Sequence, residues 1–72
     1  MTTAAERKRR ILIAMVAAGA RGREGALTCG QIAGATPARL RALMAEQLIR
    51  ARNTVGAAPR YWLTIAGEEA AQ

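Results

Sequence analysis

Two helix-start signals stand eight residues apart near the middle of the chain, and their spacing limits what the fold can be. Thr28 is followed by Gln31, the pattern of a capping box. In that motif the hydroxyl accepts from one backbone N–H and the amide reaches back to another. Thr36–Pro37 repeats the signal. Thr36 serves as N-cap and Pro37 takes the first helical position, where its missing N–H costs nothing. Two caps this close predict a short first helix and a tight turn containing Gly34. The second helix then carries Leu40, Leu43, Met44, Gln47 and Leu48, a narrow stripe at helical spacing.

A chain of 72 residues makes one domain, residues 1–72. Its hydrophobic fraction is 51% but its aromatic fraction only 3%, so much of the apolar content is alanine, which buries little area per residue. The large apolar side chains run from Ile11 to Ile65, and a single marginal core must recruit the whole chain.

Absent residue types exclude most chemistry. There is no His, no Asp and no Ser, and Cys29 is the single cysteine. Ser–His–Asp and Cys–His constellations cannot be assembled, and five scattered Glu are a poor metal set. No catalysis, cofactor or metal is expected. Without an internal disulfide the chain fits a reducing, cytoplasmic setting. Cys29 lies at a predicted helix start, where a thiolate is favoured, but its ordinary reading is a small buried apolar residue.

Net charge is +6, and ten of the eleven basic residues are Arg. That balance favours a polyanionic partner, with nucleic acid first and an anionic membrane second. Arginine and alanine both rise in proteins of GC-rich genomes, so charge alone does not decide the matter.

Residues 1–5 read as a frayed start to an amphipathic helix running from about Thr3 to Ala18. Ile11, Leu12, Met15, Val16 and Gly19 form its apolar face. The apolar run is shorter than the ~20 residues of a transmembrane helix. Its basic flank and Ala-Gly-Ala end also match a secretory signal peptide, which would make the product a cationic secreted or membrane-active peptide. Cleavage after Ala20 would remove the first helix. Residues 20–25 form a Gly-rich loop, and Ala26-Leu27 a short strand. Ile49–Arg52 alternates apolar and basic residues, the period of a half-buried strand. Residues 53–59 are loop chemistry. Arg60–Ile65 is the strongest β stretch, with Tyr61, Leu63 and Ile65 on one face and Arg60, Trp62 and Thr64 on the other. Thr64 then caps a short last helix.

Met44-Ala45-Glu46-Gln47-Leu48-Ile49-Arg50 and Tyr61-Trp62-Leu63-Thr64-Ile65-Ala66-Gly67, with Leu27-Thr28 and Gln31-Ile32-Ala33 ahead of them, resemble the winged helix-turn-helix regulators related to the multiple-antibiotic-resistance and arsenic repressors. The resemblance covers roughly residues 26–67. It implies a mostly α fold with a small β-hairpin (α+β), a three-helix core plus a two-stranded wing. Gln47 stands where the family commonly has Gly, and the span from Ile32 to Leu48 is several residues short. No long flanking helices are present, so the family's dimer does not carry over, and monomer and homodimer both stay open.

In such a fold the second helix of the pair reads the major groove and the wing meets the backbone. Thr36, Arg39 and Arg41 are then the base-reading candidates, and Arg50, Arg52, Asn53 and Arg60 the wing contacts to double-stranded DNA. Trp62 pairs with Arg52 or Arg60, or covers the core. Arg7, Lys8, Arg9 and Arg10 are either a phosphate clamp or a solvated helix end. The exposed face of the second helix, Ala38, Ala42, Ala45 and Glu46, equally suits a protein partner. The expected function is therefore a non-enzymatic transcriptional regulator or DNA-architecture factor of bacterial or phage type. The alternative is a winged helix used as a protein-interaction module, for example a phage-encoded inhibitor.

Overall fold

In the computed structural model, which describes residues 3–72, the first helix, α1, spans Ala4–Ala17. Thr3 and Glu6 close a capping box: the Thr3 hydroxyl accepts the Glu6 N–H at 3.1 Å and the Glu6 carboxylate accepts the Thr3 N–H at 3.3 Å. Of the expected frayed start, Met1 and Thr2 lie outside the described residues, whereas Thr3 is the cap and Ala4 and Ala5 are already helical. Gly19 ends the helix at φ +78°. Its N–H reaches the Val16 carbonyl at 3.0 Å and the Ala20 N–H reaches the Met15 carbonyl at 2.9 Å, a Schellman motif. Gly19 is exposed and belongs to the cap, not to the apolar face. That face is Ile11, Leu12 and Met15, all buried.

A single 3₁₀ turn, Arg23–Gly25, breaks the following loop, and the first strand, β1, is Leu27–Thr28, one residue later than expected. The capping box at Thr28 forms, with the Gln31 side-chain oxygen accepting the Thr28 N–H at 3.0 Å. What it caps is not an α-helix but one 3₁₀ turn, Cys29–Gln31. This corrects the expected helix pair, and the reason is local. Helix nucleation fixes several dihedrals for one hydrogen bond, and only seven residues separate Thr28 from Thr36. Gly30 and Gly34 lie among them, and Gly34 adopts φ +77°. Thr36 precedes Pro37 and must be extended (φ −130°, ψ 158°). Ile32 leaves the turn in extended conformation and drops into the core. Cys29 is half-buried against that core, and its thiol donates to the Ala35 carbonyl at 3.7 Å.

The second helix, α2, spans Pro37–Ala45, with the Thr36 hydroxyl accepting the Arg39 N–H at 3.2 Å. Leu40 and Leu43 are fully buried. Three members of the expected stripe are not: Met44 is 38% exposed, and Gln47 and the half-buried Leu48 have already left the helix. Gln47 takes the left-handed conformation (φ 61°), with its N–H on Met44 and the Leu48 N–H on Leu43, at 2.9 and 3.0 Å. This second Schellman motif places a non-glycine where glycine is favoured.

The strands β2 (Ile49–Arg52) and β3 (Arg60–Leu63) form a hairpin over residues 53–59. At the loop's tip the Ala57 N–H reaches the Thr54 carbonyl at 3.0 Å. β1 pairs with the other side of β3, so the sheet has three antiparallel strands in the order β1-β3-β2, one more than the expected two-stranded wing. The chain is thus a small α+β domain of three helices and a three-stranded sheet. The third helix, α3 (Ile65–Ala70), follows β3 directly. Ile65 is its first residue and 77% exposed, not a core residue of β3, because the Thr64 cap turns the chain out of the strand. Val55, at the hairpin tip, is also fully exposed.

Thr64 ties three elements together. Its hydroxyl accepts the Gly67 N–H at 3.0 Å and reaches the Gln47 and Leu48 carbonyls at 2.8 and 3.0 Å. Its N–H donates to Leu48 at 3.1 Å. Gly67 is buried beside the same carbonyl, where a Cβ would collide with the Leu48 oxygen. The Leu-Thr-x-x-Gly pattern therefore fixes the exit of α2 against the start of α3.

Leu63 is 2% exposed at the meeting point of α1, β2 and α3. Leu63→Ala is expected to cost ~2–5 kcal/mol in urea unfolding; an unchanged midpoint would put Leu63 outside the core. Gln47→Gly is expected to raise stability by ~0.5–1 kcal/mol, by relieving the left-handed strain against a larger unfolded-state entropy. A lower melting temperature would show that the Gln47 side chain itself stabilises the exit.

Candidate nucleic-acid interface

Strand parity decides which side chains this site contains. Ile49 and Leu63 are buried, so their neighbours Arg50 and Trp62 must point the other way. The hairpin register places Arg50 opposite Trp62 and Arg52 opposite Arg60, and β1 adds Thr28 opposite Arg60. Directly opposed residues share a face. Arg50, Arg52, Arg60 and Trp62 therefore stand together on the outer face of the sheet, the three arginines exposed and the indole half-buried. Two like charges, Arg52 and Arg60, sit directly across from one another, an arrangement that is unfavourable without an anion.

The indole is not paired with Arg52 or Arg60, as the sequence suggested. Arg23, from the 3₁₀ turn ahead of β1, places its guanidinium carbon 5.9 Å from the centre of the Trp62 ring. Arg60 instead turns toward β1, its guanidinium 3.5 Å from the Ala26 carbonyl. Arg23 carries no periodic signal in the sequence; only its flanking glycines mark a turn.

Beside this face an open groove of ≈ 1090 Å³ runs between the end of α2 and the start of α3. Met44, Glu46, Arg50, Asn53, Trp62 and Ile65 are among its walls. The two carboxylates that line it are both engaged: Glu46 by Lys8 at 2.9 Å and Glu68 by Arg21 at 3.4 Å. Each pair is solvent-exposed and contributes only ~0–1 kcal/mol, but each cancels a charge that would repel phosphate. Among the described residues these are the only ion pairs, so Arg23, Arg50, Arg52 and Arg60 face no carboxylate.

On α2 the expected base readers separate. Thr36 spends its hydroxyl lone pair on the Arg39 N–H. Arg39 is half-buried and donates its guanidinium to the Gly34 carbonyl at 2.9 Å, holding the turn. The Arg41 side chain is exposed and makes no ion pair among the described residues. It lies one turn before Met44, which lines the groove, so helical spacing carries it toward the same side as Arg50. Ala38 and Ala45 are exposed and Ala42 half-buried. The basic cluster on α1 is divided. Lys8 is committed to Glu46, while the exposed Arg7, Arg9 and Arg10 spread around the helix.

Among the described residues no group of His, Cys, Asp or Glu is placed to hold a metal ion, and no helix is long and apolar enough to cross a membrane.

Arg39 and Arg41 should therefore behave differently. Arg39→Ala is expected to lower the melting temperature slightly, since it removes the donor that holds the Gly34 carbonyl; that carbonyl is exposed and water replaces the donor, so the cost is ~0.5–1.5 kcal/mol. Arg41→Ala should leave it unchanged. Equal melting temperatures for the two variants would remove Arg39 from the turn.

Comparison with family models, with curated proteins and with solved structures finds no match to this chain.

Proposed function

We propose that the chain is a small winged-helix nucleic-acid-binding protein, acting on DNA as a regulator or architectural factor without catalysis. The element order supports it: helix, short strand, 3₁₀ turn in place of a helix, helix, then a basic hairpin. The observation that carries it is the outer sheet face, where Arg23, Arg50, Arg52 and Arg60 meet no carboxylate while the nearby Glu46 and Glu68 are neutralised. Unpaired arginines on a rigid hairpin are a phosphate footprint. Arg41 is the one free arginine on the presumed reading helix.

A second reading has its own observation. The exposed surface of α2 carries Pro37, Ala38, Met44 and Ala45 beside the single Arg41, and small apolar side chains suit a packed protein partner better than base edges.

Salt separates the two. Binding of the protein to duplex DNA should weaken steeply as salt rises, because each neutralised phosphate releases counterions. Replacing Arg50, Arg52 or Arg60 by Ala should lower the slope of log K against log salt by about one each, on any sequence. Fluorescence anisotropy across a salt series reads both. Binding that is absent, or indifferent to salt and to all three substitutions, would remove DNA as the partner.

A further inference from the structure

We propose that the outer sheet face is a platform for an unpaired nucleic-acid strand, with one base stacked between Trp62 and Arg23 and the flanking phosphates held by Arg50, Arg52 and Arg60. This rests on the nucleic-acid reading above and names the form of nucleic acid that this face prefers.

Three observations converge. The first is the indole itself. It stands on the solvent side of β3, ringed by arginines from two strands and a loop. In an intact duplex every base face is covered by its neighbours, so a ring on a flat sheet can touch only backbone and base edges there. Bases freed from pairing present their faces, and stacking on an aromatic beside a basic track is how single strands are held.

The second is the spacing above the ring. The Arg23 guanidinium carbon lies 5.9 Å from the ring centre. A base laid on the indole is therefore within reach of the flexible Arg23 side chain, which turns aside from the ring to admit it. The guanidinium plane then covers the second face of the base, in the manner of arginine stacking.

The third is the poverty of α2 as a reader of duplex sequence. Arg39 is committed to the Gly34 carbonyl, the exposed Pro37, Ala38, Met44 and Ala45 offer no side-chain hydrogen-bond donor, and Arg41 stands alone. Positive charge and stacking surface are both concentrated on the sheet instead.

Trp62 is the chain's single tryptophan, so intrinsic fluorescence reports on this site without labelling. The full-length protein is titrated with a short oligothymidylate strand and with a duplex of the same length, at one salt concentration. The single strand is expected to quench Trp62 and to bind more tightly than the duplex. Trp62→Phe should retain most of the affinity for the strand. Trp62→Ala should lose ~5–100-fold for the strand and little for the duplex. Should Trp62→Ala not fold, Arg23→Ala, which removes the second plane from an exposed turn, decides in its place: a loss of strand affinity several-fold larger than its loss of duplex affinity is expected, and equal losses overturn the platform. A strand that binds without quenching, or no more tightly than the duplex, overturns the proposal. Duplex binding with steep salt dependence but no quenching overturns the platform and leaves the DNA reading standing; no binding of either nucleic acid removes both.

Discussion

The Leu48 carbonyl is where this small domain is held together. It receives the N–H of Thr64 and shares the Thr64 hydroxyl, and Gly67 lies flat against it because no side chain intervenes. One oxygen thereby joins the exit of α2, the end of β3 and the first turn of α3. Each of those segments is too short to be stable alone: α2 has nine residues, β3 four and α3 six. Their order comes from each other and from the nine-residue core that α1 caps with Ile11, Leu12 and Met15. In a domain this small, with little apolar area to bury, such shared polar junctions set the angles at which the elements meet.

From that junction the basic face follows by parity. Leu63 must point inward to meet α1, and Ile49 opposite it must do the same. The residues next to this pair, and every second one after them, then face outward, which fixes Arg50, Trp62, Arg52 and Arg60 on one face. Shifting either strand by one residue would bury arginines and expose the core, so the register is strongly specified. The basic face is thus a corollary of core packing, and it is as rigid as the core that sets it.

Strands and caps were legible in the sequence because their signals are local. The alternation in Ile49–Arg52, the loop of residues 53–59, the Thr36–Pro37 start and the Thr64 cap all appear where the residues place them. The same locality misled at Thr28, where the capping box forms as read but closes only a 3₁₀ turn. A cap specifies that a turn begins, not that it propagates; propagation needs residues free of competing demands, and Gly30, Gly34 and the extended pre-proline Thr36 supply those demands. Ile65 was misplaced for a related reason. Period two continues through Thr64 in the sequence, while the Thr64 hydroxyl bends the chain into α3. Arg23 over Trp62 and Lys8 on Glu46 were not legible at all, since they join residues far apart in the chain and no spacing rule connects them.

The shortened first turn also changes what α2 has available for recognition. With only a 3₁₀ turn before it, the chain passes through Gly34 in the left-handed conformation, and the Gly34 carbonyl takes the Arg39 guanidinium as its donor. An arginine that the helix could have offered to base edges is spent on closing the turn. The sheet makes no such demand on its outer face. The ladder bonds of β2 and β3 are backbone to backbone, the core-facing side chains supply the packing, and the outward arginines carry no structural duty beyond the long Arg60–Ala26 contact. Side chains released from structural work are the ones free to meet a partner, and in this chain they stand on the hairpin more than on the helix that precedes it.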